Sequence, residues 1–477
     1  MANPVSGTKN RYTILALIIL LGLALRLYGI GSQSFWYDEV ATMKTIQKPF
    51  INLMAYCFIN GHSPLYFLLL RFWTFLFGFT ETAARLPSVL FGISSIYLLF
   101  LLTRLLFNIR SALFSAFFMA ISVVHILYSQ EARLYSMLVF ISVLATFLLV
   151  KALGLRSRSM WLGYSASILM TLLLSSVGVL VLLFHVIFML LCRKFYRNSF
   201  PLFVSSVFAA IIAALPLFVI IIKSRFAPLL SWIPPISLIG IEKTFANFMF
   251  FRWPSLVDAK LAVGYHLVAF FFASICILAL WRLFKEGLTA NGILLLSWFA
   301  VPHFTIFVIS LFISPMLVTR YLLFASCPLY ILLATYVSGL KNRVWRAAVL
   351  SAILILSIAS LVQYYEFEAR PKWKDAASFI SANIDPEEEI SVCPGFEAMA
   401  FSYYYKDGNK VIPLSSSIIA QTDLESKGGW LVVRVGINDF IDGKPFARYI
   451  EDRFGSNPSV TIKKYYGELK VYRLPGR

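Results

Sequence analysis

Runs of about 20 predominantly apolar residues, the length that crosses a bilayer, recur along the first three quarters of this 477-residue chain and leave it little choice of fold. They lie at about 12–30, 83–104, 111–128, 133–152, 200–222, 262–284, 290–313, 319–339 and 344–363. The stretch 160–192 is too long for one span, and Ser175 and Ser176 near its middle divide it into two short ones, which makes about eleven in all. Only 14% of the residues are charged, against roughly 25% in an ordinary soluble chain, so the bilayer is the main solvent. The expected fold class is a polytopic α-helical membrane protein. A formal charge of +19 would suit nucleic acid, but no basic stripe alternates with exposed aromatics. The positive charge is topological instead. The first run follows Lys9 and Arg11, is too long for a signal-peptide core and has no small-residue cleavage site, so it reads as a retained anchor. The five cysteines are scattered without pairing or metal-like spacing and read as small apolar residues.

Lys9/Arg11, Arg104/Arg110, Lys151/Arg156/Arg158, Arg193/Lys194/Arg197, Arg282/Lys285 and Lys341/Arg343/Arg346 fall on one side of the spans as drawn. That side is expected to be cytoplasmic. The same rule makes the apolar run Pro64 to Phe79 a helix at the outer interface, because counting it as a span would put Arg104 and Arg110 outside. Residues 1–363 therefore form a membrane domain with outer loops that include 31–82 and 223–261. From Tyr364 onward charges, Gly and Pro rise. Strand-like stretches at Glu389–Val392, Trp430–Val435 and Val460–Tyr472, with a helical pattern at Lys374–Ala382, predict a small soluble α/β domain over 364–477, outside the cell membrane. The loop 223–261, with Trp232, Pro234, Pro235, Arg252 and Trp253, either lines a substrate pocket or caps the bundle.

Only seven of the 23 acidic residues stand in the membrane domain: Asp38, Glu39, Glu81, Glu131, Glu242, Asp258 and Glu286. All but Glu286 fall on the outer side, which makes that face the expected site of carboxylate chemistry. Asp38 and Glu39 follow Ser34-Phe35-Trp36-Tyr37, where interfacial aromatics hold a carboxylate at headgroup level. Such a group is placed to act as a general base on a hydroxyl; a solvated acidic pair beside an aromatic belt is the other reading. Glu131 lies in a very short outer turn beside Arg133, as a site residue or as a local ion pair. Arg85 and Arg320 stand at outer ends of spans, where positive charge is scarce. Arg320, followed by Tyr321, suits a guanidinium gripping a phosphate, with snorkelling to ordinary lipid phosphates as the alternative. His62 opens the interfacial helix with Tyr66 and Arg71 following, but no second histidine is near enough in sequence to suggest a metal site. Dependence on a divalent metal stays open.

Together, Trp36-Tyr37-Asp38-Glu39, His62-Ser63-Pro64-Leu65-Tyr66, Glu81 to Pro87, Ser129 to Tyr135 and Arg320-Tyr321-Leu322-Leu323 give the first 360 or so residues a resemblance. The chain resembles membrane glycosyltransferases of the C-type fold, specifically the bacterial relatives of the dolichyl-phosphate-mannose protein mannosyltransferases and of the aminoarabinose–lipid A transferases. The resemblance implies a polyprenyl-phosphate-linked sugar as donor. It also implies an essential acid at Asp38, with Glu39 beside it, a second acid at Glu131, and donor-phosphate binding by Arg320 and Tyr321 with Arg85 or Arg133. His62, Tyr66 and Tyr135 are the implied substrate-binding residues. Ser63 replaces a proline often found there, His62 stands where some relatives use lysine, and the tail lacks the sugar-binding repeats of the eukaryotic protein mannosyltransferases. The acceptor, whether protein, glycolipid or polysaccharide, is therefore not assigned. A transporter or flippase of lipid-linked saccharides is the rival class, but it would ordinarily place ionisable residues near the bilayer midplane, and these acids lie at the outer ends. An assembly factor with a recognition tail is a second rival, and it would need no catalytic pair.

Overall fold

The computed structural model describes residues 4–60, 62–155, 157–223, 233, 235–248, 259–285, 287, 289–367, 371–421, 424, 428–435, 440–441, 444–455, 457, 460, 462–466 and 468–476. The expectations resting on Trp232, Pro234, Arg252, Trp253, Asp258, Glu286 and Arg156 lie outside these residues. The chain divides into two compact units: Met1–Tyr28, Ile46–Gly78 and Ala83–Val362 make the first, and Gly29–Thr45, Phe79–Thr82 and Gln363–Arg477 the second.

The first unit is helical because its apolar runs, removed from water, must pair their own backbone groups. Among the described residues, five of its helices are long and apolar enough to cross a membrane, and six if the bent pair Ile109–Ile121 and Val123–Ser129 is one span. Other apolar helices are shorter, among them Pro64–Phe77, Phe200–Pro216 and Leu323–Gly339. The long stretch does divide as its length requires: Arg158–Leu174 ends at Ser175, a short 3-10 turn spans Ser176–Gly178, and Val179–Leu191 continues. The loop 223–261, in contrast, contains a helix, Leu238–Phe248, that its composition did not announce.

The 60° bend in the broken pair has a visible cause. A break at Ser122 takes the carbonyls of Met119 and Ala120 out of the helical ladder, and Arg26, wholly buried, donates to both at 3.2 and 3.1 Å, to Gly22 O at 3.1 Å and to Ser129 Oγ at 3.2 Å. A cation at a helix C-terminus also meets the negative end of the helix dipole. Gly92 makes room for this arrangement, since a Cβ there would run into Ser129 Oγ and stand 3.1 Å from Arg26 Nε. Beside it, His125 Nε2 meets Ser326 Oγ at 2.8 Å and Ser122 Oγ meets the Tyr330 hydroxyl at 2.8 Å.

The second unit is built on strands β1 (Ile390–Cys393), β2 (Val411–Pro413), β3 (Gly428–Arg434), β4 (Phe440–Ile441), β5 (Lys444–Pro445), β6 (Ile462–Tyr466) and β7 (Leu469–Gly476). The main sheet runs β2-β1-β3-β7-β6, with β1 parallel to β2 and β3, and β7 antiparallel to β3 and β6. Residues Trp430 to Val433 of the central β3 are all buried, as befits a strand covered on both faces. Leu431 and Val433 join Tyr472, Phe446 and Ile450 in one core, while Trp430 meets Phe379 edge-on at 5.9 Å. Gly429 has φ +94°, and a Cβ there would lie 2.5 Å from Glu389 O, so this position calls for glycine. The stretch read as one β-rich run over Val460–Tyr472 contains an antiparallel pair, β6 with β7, in which Tyr466 pairs with Leu469.

This unit is discontinuous in sequence. Two pieces of the loop 31–82, assigned from sequence to the membrane domain, pack instead with the tail: Ser34 Oγ accepts from Lys374 N at 3.1 Å, and the rings of Phe35 and Tyr403 meet edge-on at 5.8 Å.

Candidate functional site

In the second unit the acidic pair falls in the first turn of the helix Tyr37–Ile46, where carboxylates are favoured by the helix dipole. The two acids have different situations. Glu39 is wholly buried, and its Oε2 accepts from Trp36 N at 3.3 Å, one half of a capping box. Glu39 thus helps to start the helix, and Asp38 beside it is half-buried. Tyr37 meets Phe396 edge-on at 5.4 Å.

Phe396 belongs to the turn Gly395–Glu397 at the carboxyl end of β1, the place where parallel sheets commonly position function. Glu397 is wholly buried; its Oε1 accepts from Arg434 Nη1 while Oε2 has no hydrogen-bond partner among the described residues, and Arg434 Nε also donates to Glu468 Oε2 at 2.9 Å. Burial pushes the Glu397 carboxyl above its ordinary 4.5; Arg434 pulls it back only in part, and the charges of Glu468 and Asp38 push it further up. Because the folded value exceeds the unfolded one, the stability this group contributes is complete below the unfolded value and is lost as pH rises through the folded one. Glu397→Gln keeps an acceptor for Arg434 and removes the titration. Thermal melts of the full chain from about pH 4 to about pH 7 should therefore show the wild type losing stability relative to Glu397→Gln as pH rises; parallel curves would refute this.

The first unit holds the remaining site residues. The turn at 130–134 is tied down by Gln130, whose Nε2 donates to Arg26 O at 3.0 Å and Tyr28 O at 2.7 Å, and by Arg133 O, which accepts from Ser88 Oγ at 3.2 Å. Ser88 Oγ in turn lies 3.5 Å from the Tyr66 hydroxyl. One helical turn before Ser88 stands Arg85, only 1% exposed, and Glu131 is 5% exposed. Two guanidiniums converge on a single ring: those of Arg133 and Arg320 lie 5.8 and 5.9 Å from the centre of Tyr135, and Arg320 also lies 5.9 Å from Tyr321. Cation–π contacts of this kind orient an arginine, and a guanidinium carries the planar fork that suits a phosphate.

His62 is in this unit and Asp38 in the other. His62 packs between aromatics, 6.1 Å from Tyr56 and 6.0 Å from Phe67, with its N–H on Cys57 O at 2.7 Å. Among the described residues no three His, Cys, Asp or Glu side chains are grouped to hold a metal ion. Ser88, Arg26, Glu397 and Arg434 were not singled out from sequence. Of these only Glu397, just after a parallel strand, carried a readable signal.

Residues 61–220 match the profile of a family described as dolichyl-phosphate-mannose-protein mannosyltransferase. That segment includes His62, Tyr66, Arg85, Glu131, Arg133 and Tyr135, and leaves Asp38 and Arg320 outside. No curated protein matches the sequence. Among solved structures, apo ArnT from Cupriavidus metallidurans is similar, with a TM-score of 0.58 and 13% identity over 96% of this chain and 97% of that one. ArnT bound to undecaprenyl phosphate gives 0.55 and 12% over the same shares. The archaeal oligosaccharyltransferase AglB from Archaeoglobus fulgidus, in complex with an inhibitory peptide and a dolichol-phosphate, gives 0.56 and 13% over 97% of this chain and 74% of that one. At such identities the likeness is one of fold.

Proposed function

We propose that this chain, which has the fold of the C-type membrane glycosyltransferases, moves a sugar from a polyprenyl-phosphate carrier to an acceptor hydroxyl at the outer face of the cytoplasmic membrane. The observation that carries the reading is the convergence of Arg133 and Arg320 on Tyr135. A phosphate leaving group needs positive charge more than it needs a general acid. The undecaprenyl phosphate and dolichol-phosphate named with the two solved relatives support the donor class.

In the proposed reaction the Asp38 carboxylate takes the proton of the acceptor hydroxyl as its oxygen attacks the anomeric carbon. The bond from that carbon to the phosphate oxygen breaks, and the polyprenyl phosphate leaves with its charge held by Arg320 and Arg133, assisted by Arg85. Tyr321 and Tyr135 orient the guanidiniums, Glu131 is the second acid of the site, and Tyr66 contributes to binding through Ser88. Direct attack inverts the anomeric configuration. In this reading the N-terminus is cytoplasmic, and the tail, with the acidic loop, lies outside.

The test is transfer of radiolabelled sugar from a panel of polyprenyl-phosphate sugars by the full chain in nanodiscs, with and without a chelator. Transfer, or slow hydrolysis of one donor, is the expected result and identifies the sugar; the chelator arm reads any need for a divalent ion. Movement of intact lipid-linked sugar across a vesicle membrane without cleavage would replace the proposal with the transporter reading.

A further inference from the structure

We infer that Tyr404, in the C-terminal tail, is a positioning residue for Asp38. Its phenol joins three segments that are remote in sequence. The oxygen accepts from Phe35 N at 2.7 Å, and the hydroxyl donates to Glu81 Oε1 at 3.0 Å. Phe35 is 1% exposed and stands two residues before the helix that begins at Tyr37 and carries Asp38 in its first turn. A backbone N–H buried at this point must find an acceptor, and the tail supplies it.

The two hydrogen bonds do what the neighbouring ring contacts cannot. Phe35 against Tyr403 and Tyr37 against Phe396 hold the turn to the tail from either side of Trp36, but apolar contacts are non-directional and tolerate sliding. A hydrogen bond loses strength steeply with distance and angle, so the phenol sets the register of the loop. The rotation and depth at which the first helical turn presents its carboxylate therefore depend on a side chain at the end of the helix Ala398–Tyr404. The tail, on this view, is part of the catalytic apparatus whatever else it recognises.

This inference rests on the proposed role of Asp38, and the experiment separates the two. In Tyr404→Phe the ring contacts remain and both hydrogen bonds go. The turnover number should fall about tenfold to a hundredfold, the cost of a displacement of about 1 Å at a reacting group, with the KM for donor unchanged. Hydrogen–deuterium exchange of the full chain, read without any substrate, should quicken over residues 34–40. Glu81→Gln, whose amide oxygen still accepts from the phenol, should restore near wild-type turnover where Glu81→Ala does not; this pair also serves if Tyr404→Phe fails to fold. Unchanged exchange and turnover in Tyr404→Phe, beside an inactive Asp38→Asn, would overturn the inference and leave the reading of Asp38 standing. Full activity of Asp38→Asn would remove the reading itself, and the exchange measurement would then decide on the contact alone.

Discussion

Asp38→Asn is expected to lower sugar transfer about a hundredfold to ten-thousandfold, the range over which a positioned general base contributes, with protein level and thermal midpoint unchanged. The substitution is nearly isosteric and keeps a polar side chain at the start of the helix Tyr37–Ile46. It leaves the buried capping contact of Glu39 on Trp36 N in place, so the fold of the turn has no reason to change. What it removes is the ability to accept a proton. The measurement is initial rate against acceptor concentration at saturating donor. A drop in rate constant at similar KM supports the assignment, whereas a wild-type rate would show that another group, with Glu131 the next candidate, takes the proton.

Arg320→Ala should have the second largest effect. Removing one preorganised cation from a developing charge costs on the order of 2.7–4 kcal/mol, or about a hundredfold to a thousandfold in rate. Arg320→Lys should recover only part of this, because an ammonium is a point charge without the planar fork that grips two phosphate oxygens at once. Arg133 and Arg320 share the ring of Tyr135, and contacts that share a partner do not add. The double variant should therefore lose less than the product of the two single losses. Inhibition by polyprenyl phosphate without its sugar provides the check: it should weaken in parallel with the loss of rate. Inhibition that stayed as strong as in the wild type would place the carrier phosphate elsewhere.

Much of the helical unit was legible because the signal is local. A run of apolar residues long enough to cross lipid must be a helix, and the excess length of 160–192 with two serines near its centre gave the break that stands at Ser175. The resemblance in fold was likewise carried by short motifs, each within one turn or helix end. Arg26 was not legible. It sits inside an apolar run with no acidic residue close to it in sequence, and the carbonyls it serves belong to Met119 and Ala120, far along the chain. The helix Leu238–Phe248 was hidden in a long irregular-looking loop, and the antiparallel pair of β6 and β7 was read as one stretch because both strands have the same β-rich composition.

The amino-acid sequence by itself determined where this chain is apolar helix and where it turns into a strand-forming tail, because those choices follow from whether each short segment can satisfy its backbone in lipid or in water. Only the tertiary structure decided that Glu39 caps its helix through Trp36 N, that Arg133 and Arg320 meet on one tyrosine, and that the acidic loop packs with the tail through Tyr404. Each of these depends on a side chain finding a particular partner atom within about 3 to 6 Å, and the partners that bring Arg320 to Tyr135 and Phe35 to Tyr404 are supplied by chain closure over more than a hundred residues, a distance no local pattern encodes.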